Sequence, residues 1–429
     1  MISKIIIKLG KMYKINTSKE LSWEVLISGS KNAALPILAA TLLIRWKITL
    51  KNVPRIGDVL TFLEIISTIW AKYTFEENIL LLDTTHLDIS KMDVEMIKKI
   101  RASILLLSPI LHYFWNISIP FPGGCSIWKR PIDAHLNGLK AIWYDYVITE
   151  KWVNITGKPH SWNITINAGF WVTSTENLIV ANVLRPWITT IELSAIEPHV
   201  MNLIWFLREA WADIKIKYNH KIIVTWVEKL QNQINYEVIS DYIESGTFMV
   251  LGALASKEYI DIKNARIDDL YSFIAKLKDA WVQVEDLGDD TLRVFRSQNL
   301  KNVSIQTNIF PWFPTDIGSP FAVLMTQAEG ISRIHEVLFE GRLNFLVELD
   351  KMRWHTAILN PHEALVFWKM NLKGAQVTSW DLRAWAAMVI AWLIAEWETT
   401  VTNIEYIERW YENFVEKLQQ LWAKIEIVW

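Results

Sequence analysis

Glycine is scarce in this chain, with 15 among 429 residues, where about 7%, roughly 30, is ordinary. Cysteine is scarcer still. The single Cys125 excludes an internal disulfide and agrees with a reducing compartment. No stretch reaches the roughly 18 consecutive apolar residues of a membrane span. The opening MISKIIIKLGKMYKI carries too short an apolar run for a secretion signal. These absences predict a cytoplasmic protein with no membrane partner. Net charge is −2, so no strong field draws the chain to nucleic acid. The nine histidines show no H-E-x-x-H or similar spacing, and no metal site is expected. A Walker A loop, a dinucleotide fingerprint, low-complexity tracts and a Pro- or Ser-rich linker are all missing.

What is present is a globular composition, 51% apolar and 21% charged, in a length that suits two domains. Tryptophan is in excess, at 24. Its positions reveal a repeat. An amphipathic helix, a Trp and a short β-like run recur around Trp70, Trp143, Trp211, Trp281, Trp354 and Trp422. The separations are 73, 68, 70, 73 and 68 residues. A period that regular predicts six copies of one supersecondary unit, three to a domain.

Each of these tryptophans follows a predicted helix end, where the backbone often turns left-handed and glycine is favoured. Left-handed geometry costs a residue with a Cβ roughly 1–2 kcal/mol, and overpacking is expected to add roughly 1–3 more. Trp312, Trp397 and Trp410 also occupy positions that suit a turn glycine. The expectation is that most tryptophans here are glycine in the organism, encoded by UGA and read as Trp in translating the gene. Restoring all 24 would give 39 glycines, about 9% of the chain, close to the usual about 7%.

Several segments carry candidate chemistry. In PGGCSIWKRPID, two glycines free the backbone to turn and present Cys125 beside Lys129 and Arg130, where cations favour a thiolate. A small buried hydrophobe is the other reading of that cysteine. In SGSKNAALPILAA, a Gly-containing turn delivers Lys31 and Asn32 to the start of an apolar helix. Helix N-termini attract anions and a lysine adds to such a site, although a solvated lysine fits as well. Arg101 in KIRAS is an anion ligand or a solvated helix end. Arg130, Asp133 and His135 follow the cysteine loop closely. A polar stretch, DYIESGT from Asp241, lies between the third and fourth repeats, where the domain crossover is expected. The later half puts Asp316, Arg342, Asp381, Arg383 and Arg409 beside turns. Guanidinium groups suit carboxylates and phosphates, and an aspartate in an arginine-lined cleft suits a general base. Taken singly, each reads equally as a surface charge.

Together these segments resemble the enolpyruvyl transferase family. SGSKNAALPILAATLL, RASI, PGGCSIWKRPIDAHLNGL, FPTD, TQAEG, DLRA and ERWY occur in the family's order, and the likeness runs almost end to end. Reading Trp as Gly sharpens it, giving PGGCSIGKRP, GFPTD, IAEGETT and ERGY. The resemblance implies an α/β fold of two inside-out, barrel-like domains, each of three repeats with helices inside and sheets outside. The expected domains are 31–240, with the cysteine loop, and 1–30 plus 241–429. The active site would lie in a cleft that closes on substrate, excluding water.

The reaction the resemblance implies moves the enolpyruvyl group of phosphoenolpyruvate onto the 3-hydroxyl of UDP-N-acetylglucosamine. It releases phosphate and passes through a tetrahedral ketal. It assigns Asp316 as base and Cys125 as the acid of a mobile loop, alkylated by fosfomycin. Lys31, Arg130 and Arg409 would hold the phosphate, with Lys31 and Arg409 counted among the catalytic residues. Arg342 and Arg383, with Asp381 nearby, would take the carboxylate side. Asn32 and Arg101 would meet the sugar. Arg130, Pro131, Ile132, Asp133, Ala134, Val172, Thr173 and Leu338 would complete the sugar-nucleotide contacts. No cofactor and no metal are expected, and a monomer is. Alternatives are the sister transferase of shikimate 3-phosphate, which Lys31-Asn32 and the PGGC loop disfavour, and a non-catalytic UDP-sugar-binding paralogue. Departures from the family pattern are Trp128 and Trp410 in place of glycine, Gly341 in place of an asparagine, and the loose segment WVTSTEN.

Overall fold

The Ala/Leu-rich run after Lys31 and the run from Phe248 to Ala255 are apolar on every side, and helices of that kind belong in an interior. The computed structural model describes residues 12–120, 132–157, 162–353, 355–367, 371–378, 384–402 and 409–428. Two compact units emerge, Ser28–Ser240, and Met1–Ile27 joined with Asp241–Trp429. Each has its own apolar core. In the first unit, helices Lys31–Thr41 and Val172–Asn182 are buried along nearly their whole length. In the second, Tyr242–Ala255 and Gly318–Thr326 are buried at every position, and Ala384–Ile394 from Ala387 onward. The last three pack against one another.

Sheets surround these helices. One sheet of the first unit shows the pattern. Strand Ile164–Asn167 runs parallel to Ile188–Glu192, which pairs antiparallel with Lys221–Thr225, which pairs in turn with Asp213–Lys217. Its register sets Ile191 opposite Ile222, both fully buried, while alternate residues face outward, as the two-residue strand period requires. A second sheet repeats this order with Ile234–Glu237, Lys47–Lys51, Ile79–Asp83 and Lys72–Glu76. A third, of three strands, joins Asn116–Pro120, Trp152–Thr156 and Asp145–Ile148. The second unit builds three more on the same plan. In its last sheet, Met12–Ile15 sits between Thr399–Thr402 and Ile425–Val428, so the two ends of the chain share one sheet. All six sheets are open, and none closes into a barrel among the described residues. No helix among those residues is long and apolar enough to cross a membrane.

The periodic tryptophans occupy one structural position. Trp70, Trp143, Trp211, Trp281 and Trp422 each follow a helix end and lead into a β-strand, with φ of 73°, 70°, 71°, 65° and 73°. Trp354 lies outside the described residues. At each of the five, the Trp amide and the following amide donate back to carbonyls of the last helical turn. Trp422 N reaches Gln419 O and Ala423 N reaches Leu418 O, both at 2.9 Å. This is the left-handed helix stop that normally selects glycine. Trp23, Trp115 and Trp397 are also left-handed. The expected overpacking does not arise, because the eight indoles are 41–66% exposed. Solvent takes the bulk, and the backbone strain remains. Trp312 and Trp410 are not left-handed, and Trp410 is buried.

Candidate functional site

In the first unit, Lys31 opens its helix and is buried with Asp58 in an ion pair of 2.6 Å. Asp58 stands in the first turn of helix Gly57–Thr68, where the dipole favours an anion. Asn32, beside Lys31, is half-buried. Arg101 begins the 3-10 turn Arg101–Leu106, and burial lowers its guanidinium pKa. Ile132 is the buried N-cap residue of helix Asp133–Ala141, with Asp133 exposed and Ala134 half-buried. Val172 and Thr173 form the first turn of helix Val172–Asn182. Cys125, Trp128, Lys129, Arg130 and Pro131 lie outside the described residues.

Three of these segments are tied together by two residues of the intervening helices. His135 Nε2 lies 3.0 Å from Thr173 Oγ1, and Asn177 Nδ2 lies 2.9 Å from His135 Nδ1. Asn177 Nδ2 also donates to Ile104 O at 3.0 Å, in the Arg101 turn. Ser174 Oγ donates to Ala134 O at 3.1 Å. Burial first, and then the Arg101 charge, bring His135 down to about 3, so the imidazole is neutral.

In the second unit, Asp316 sits in the 3-10 turn Thr315–Ile317, ahead of helix Gly318–Thr326. It pairs with Arg342 Nη2, which favours the carboxylate form a base must have. Arg342 is buried, and its Nη1 has no hydrogen-bond partner among the described residues. Arg342 follows Gly341, whose φ is 70°. A left-handed site admits glycine or asparagine most readily, which explains the glycine standing where the family pattern has asparagine. Leu338 is half-buried, and its amide donates to Glu336 Oε1 at 3.0 Å. Arg409 is half-buried; two residues on, Tyr411 Oη and Thr247 Oγ1 are 3.0 Å apart. Asp381 and Arg383 lie outside the described residues.

Sequence reasoning missed several groups here. Glu336 is buried and joins two loops, accepting from Thr315 Oγ1 at 2.6 Å and from the amides of Leu338 and Phe339. Nothing in SRIHE marks it. Asp241 caps helix Tyr242–Ala255, accepting from Ile243 N at 2.9 Å and Glu244 N at 3.4 Å. Its Asp-x-x-Glu spacing was a usable capping signal. Burial, then Glu244, push the Asp241 carboxyl up to about 7, and Asp316 acts in the same direction. Glu244 in turn meets Lys417 at 2.6 Å.

A carboxylate held by a buried arginine, in a six-sheet fold of two three-sheet units, is the arrangement expected of the enolpyruvyl transferase class, and the comparisons with known proteins bear that class out. Residues 15–418 match the EPSP synthase (3-phosphoshikimate 1-carboxyvinyltransferase) family, and the chain belongs to that family. UDP-N-acetylglucosamine 1-carboxyvinyltransferase 2 of Carboxydothermus hydrogenoformans is 38% identical over 97% of this chain and 99% of its own. The Finegoldia magna UDP-N-acetylglucosamine 1-carboxyvinyltransferase is 34% identical over 97% and 98%. Among solved structures, the enolpyruvyl transferase NikO from Streptomyces tendae superposes with a TM-score of 0.87 at 21% identity, covering 97% of this chain and 99% of that one. An EPSP synthase from Acinetobacter baumannii gives 0.74 at 16%, covering 98% and 100%. At those identities the structural likeness speaks for the fold.

Proposed function

We propose that the protein transfers the enolpyruvyl group of phosphoenolpyruvate to the 3-hydroxyl of UDP-N-acetylglucosamine, releasing phosphate, in the first committed step of peptidoglycan precursor synthesis. The observation that carries this is the near full-length identity of 34–38% to relatives bearing that activity in their names. Asp316 takes the hydroxyl proton as the sugar oxygen attacks the central carbon of phosphoenolpyruvate, and Cys125 protonates the methylene carbon. The tetrahedral ketal then loses a proton from the new methyl group as the phosphate leaves. Lys31, Arg130 and Arg409 hold the phosphate. Arg342, whose Nη1 has no hydrogen-bond partner among the described residues, and Arg383 take the carboxylate, with Asp381 beside them. Asn32, Arg101, Arg130 to Ala134, Val172, Thr173 and Leu338 hold the sugar nucleotide. The reading includes a cytoplasmic monomer with no nucleic-acid or membrane partner.

The test is phosphate release from phosphoenolpyruvate by the chain carrying Trp128→Gly and Trp410→Gly, with each acceptor in turn. Release that requires UDP-N-acetylglucosamine and stops on fosfomycin modification of Cys125 is expected. Release that requires shikimate 3-phosphate instead would transfer the protein to the sister activity. Binding of the sugar nucleotide without release would make it a non-catalytic paralogue.

A further inference from the structure

The polar chain through His135 has a direction, and the direction ends at a donor. Asn177 Nδ2 is the group facing Ile104 O, since only an amide nitrogen can donate to that carbonyl, at 3.0 Å. The same nitrogen faces His135 Nδ1 at 2.9 Å, so Nδ1 accepts and the ring proton is on Nε2. Nε2–H therefore donates to Thr173 Oγ1 at 3.0 Å. A hydroxyl that accepts from its neighbour must direct its own proton elsewhere. Among the described residues Thr173 Oγ1 has no further partner.

Thr173 stands in the first turn of the eleven-residue helix Val172–Asn182, whose N-cap Trp171 supplies no side-chain acceptor. The first backbone bond of that helix runs from Thr175 N to Trp171 O, which leaves the amides ahead of it for a ligand. A hydroxyl proton and helix-start amides together suit a phosphate oxygen.

Resting on the sugar-nucleotide reading above, we propose that His135 is a positioning residue that orients the Thr173 hydroxyl as a donor to a phosphate oxygen of the substrate diphosphate. Asn177 sets the tautomer, His135 turns the hydroxyl, and Thr173 touches the ligand. The arrangement ties the Arg101 turn to the same contact through Ile104 O. It also gives the loose segment WVTSTEN a use for the first of its two threonines.

The experiment is calorimetric binding of UDP-N-acetylglucosamine to the unaltered chain and to Thr173→Val, Thr173→Ser, His135→Leu and the Thr173→Val/His135→Leu pair. A hydrogen bond to a charged group makes the expected loss in Thr173→Val about tenfold in Kd. Thr173→Ser keeps the hydroxyl and should stay within about twofold. His135→Leu should lose about as much as Thr173→Val, and the pair no more than either, because both remove one interaction. Thr173→Val binding as tightly as Thr173→Ser would overturn the proposal, even if the His135 variant fails to fold. Losses that multiply in the pair would overturn it as well. An unaltered chain that binds no sugar nucleotide would instead bring down the substrate reading, and this assignment with it.

Discussion

One buried group in each unit answers burial with the opposite proton occupancy. In the first unit burial strips the proton from His135, which falls to about 3 and becomes a neutral link between neighbours. In the second, burial keeps the proton on Asp241, which rises to about 7. The physical cause is the same, since a low dielectric penalises whichever form is charged. The chemical results differ. The first unit gains a fixed, uncharged hydrogen-bond relay suited to holding a ligand. The second gains a cluster of Asp241, Glu244 and Asp316 whose mutual repulsion is offset by Arg342 and Lys417. Such a cluster suits proton transfer, because the Asp241 carboxyl, raised to about 7, can accept and release a proton near neutral pH.

The comparison can be broken at several points. The largest effect on stability is expected at Lys31, which forms a buried ion pair with Asp58. Lys31→Met leaves Asp58 buried without its cation, and removing one partner of a buried pair costs about 3–5 kcal/mol. Urea denaturation should show the loss, and Lys31→Met with Asp58→Leu should recover most of it. A single variant as stable as the parent would show that the pair is solvated in solution.

Next come two pH dependences of opposite sign. Folded Asp241 keeps a proton that the unfolded chain releases near 3.8. Its contribution is therefore full below 3.8 and is lost as pH rises through about 7. His135 has the reverse sign. Its contribution is full above 6.5 and is lost as pH falls through about 3, because the unfolded imidazole takes up a proton that the folded one refuses. Asp241→Asn should flatten the first slope and His135→Gln the second, each followed by denaturation across its window. Slopes that survive these substitutions would assign the titration to other groups.

The smallest effect distinguishes neither unit, because the strained helix stop recurs in both. Trp422→Gly removes a Cβ from a left-handed site and should stabilise by roughly 1–2 kcal/mol, read as a rise in Tm. Unchanged or lower stability would mean that the exposed indole compensates. Mass spectrometry of the organism's own peptide around residue 422 is expected to find glycine, and tryptophan there would end the UGA reading.

Much of this organisation was legible because it depends on spacing. The Trp period located the helix stops, and five of the six fall on one backbone geometry. Lys31, Asp316 and Arg342 read singly as surface charges, and stood out only through the order of motifs that the family resemblance supplied. Glu336, Asp58 and Asn177 were not legible. Each takes its role from a residue far away in the chain: Glu336 from Thr315, Asp58 from Lys31 and Asn177 from His135. No local pattern encodes such a partner. The neutral state of His135 was hidden for the same reason, since the burial that causes it is tertiary.

The role of Asp316 as the base is tested most directly by its own substitution. In the chain carrying Trp128→Gly and Trp410→Gly, Asp316→Asn should cut phosphate release about 10³-fold, within the usual range for a lost general base. It should leave the Kd for UDP-N-acetylglucosamine within about threefold, under 1 kcal/mol. Binding and turnover falling together would contradict that role and make Asp316 a substrate-holding residue.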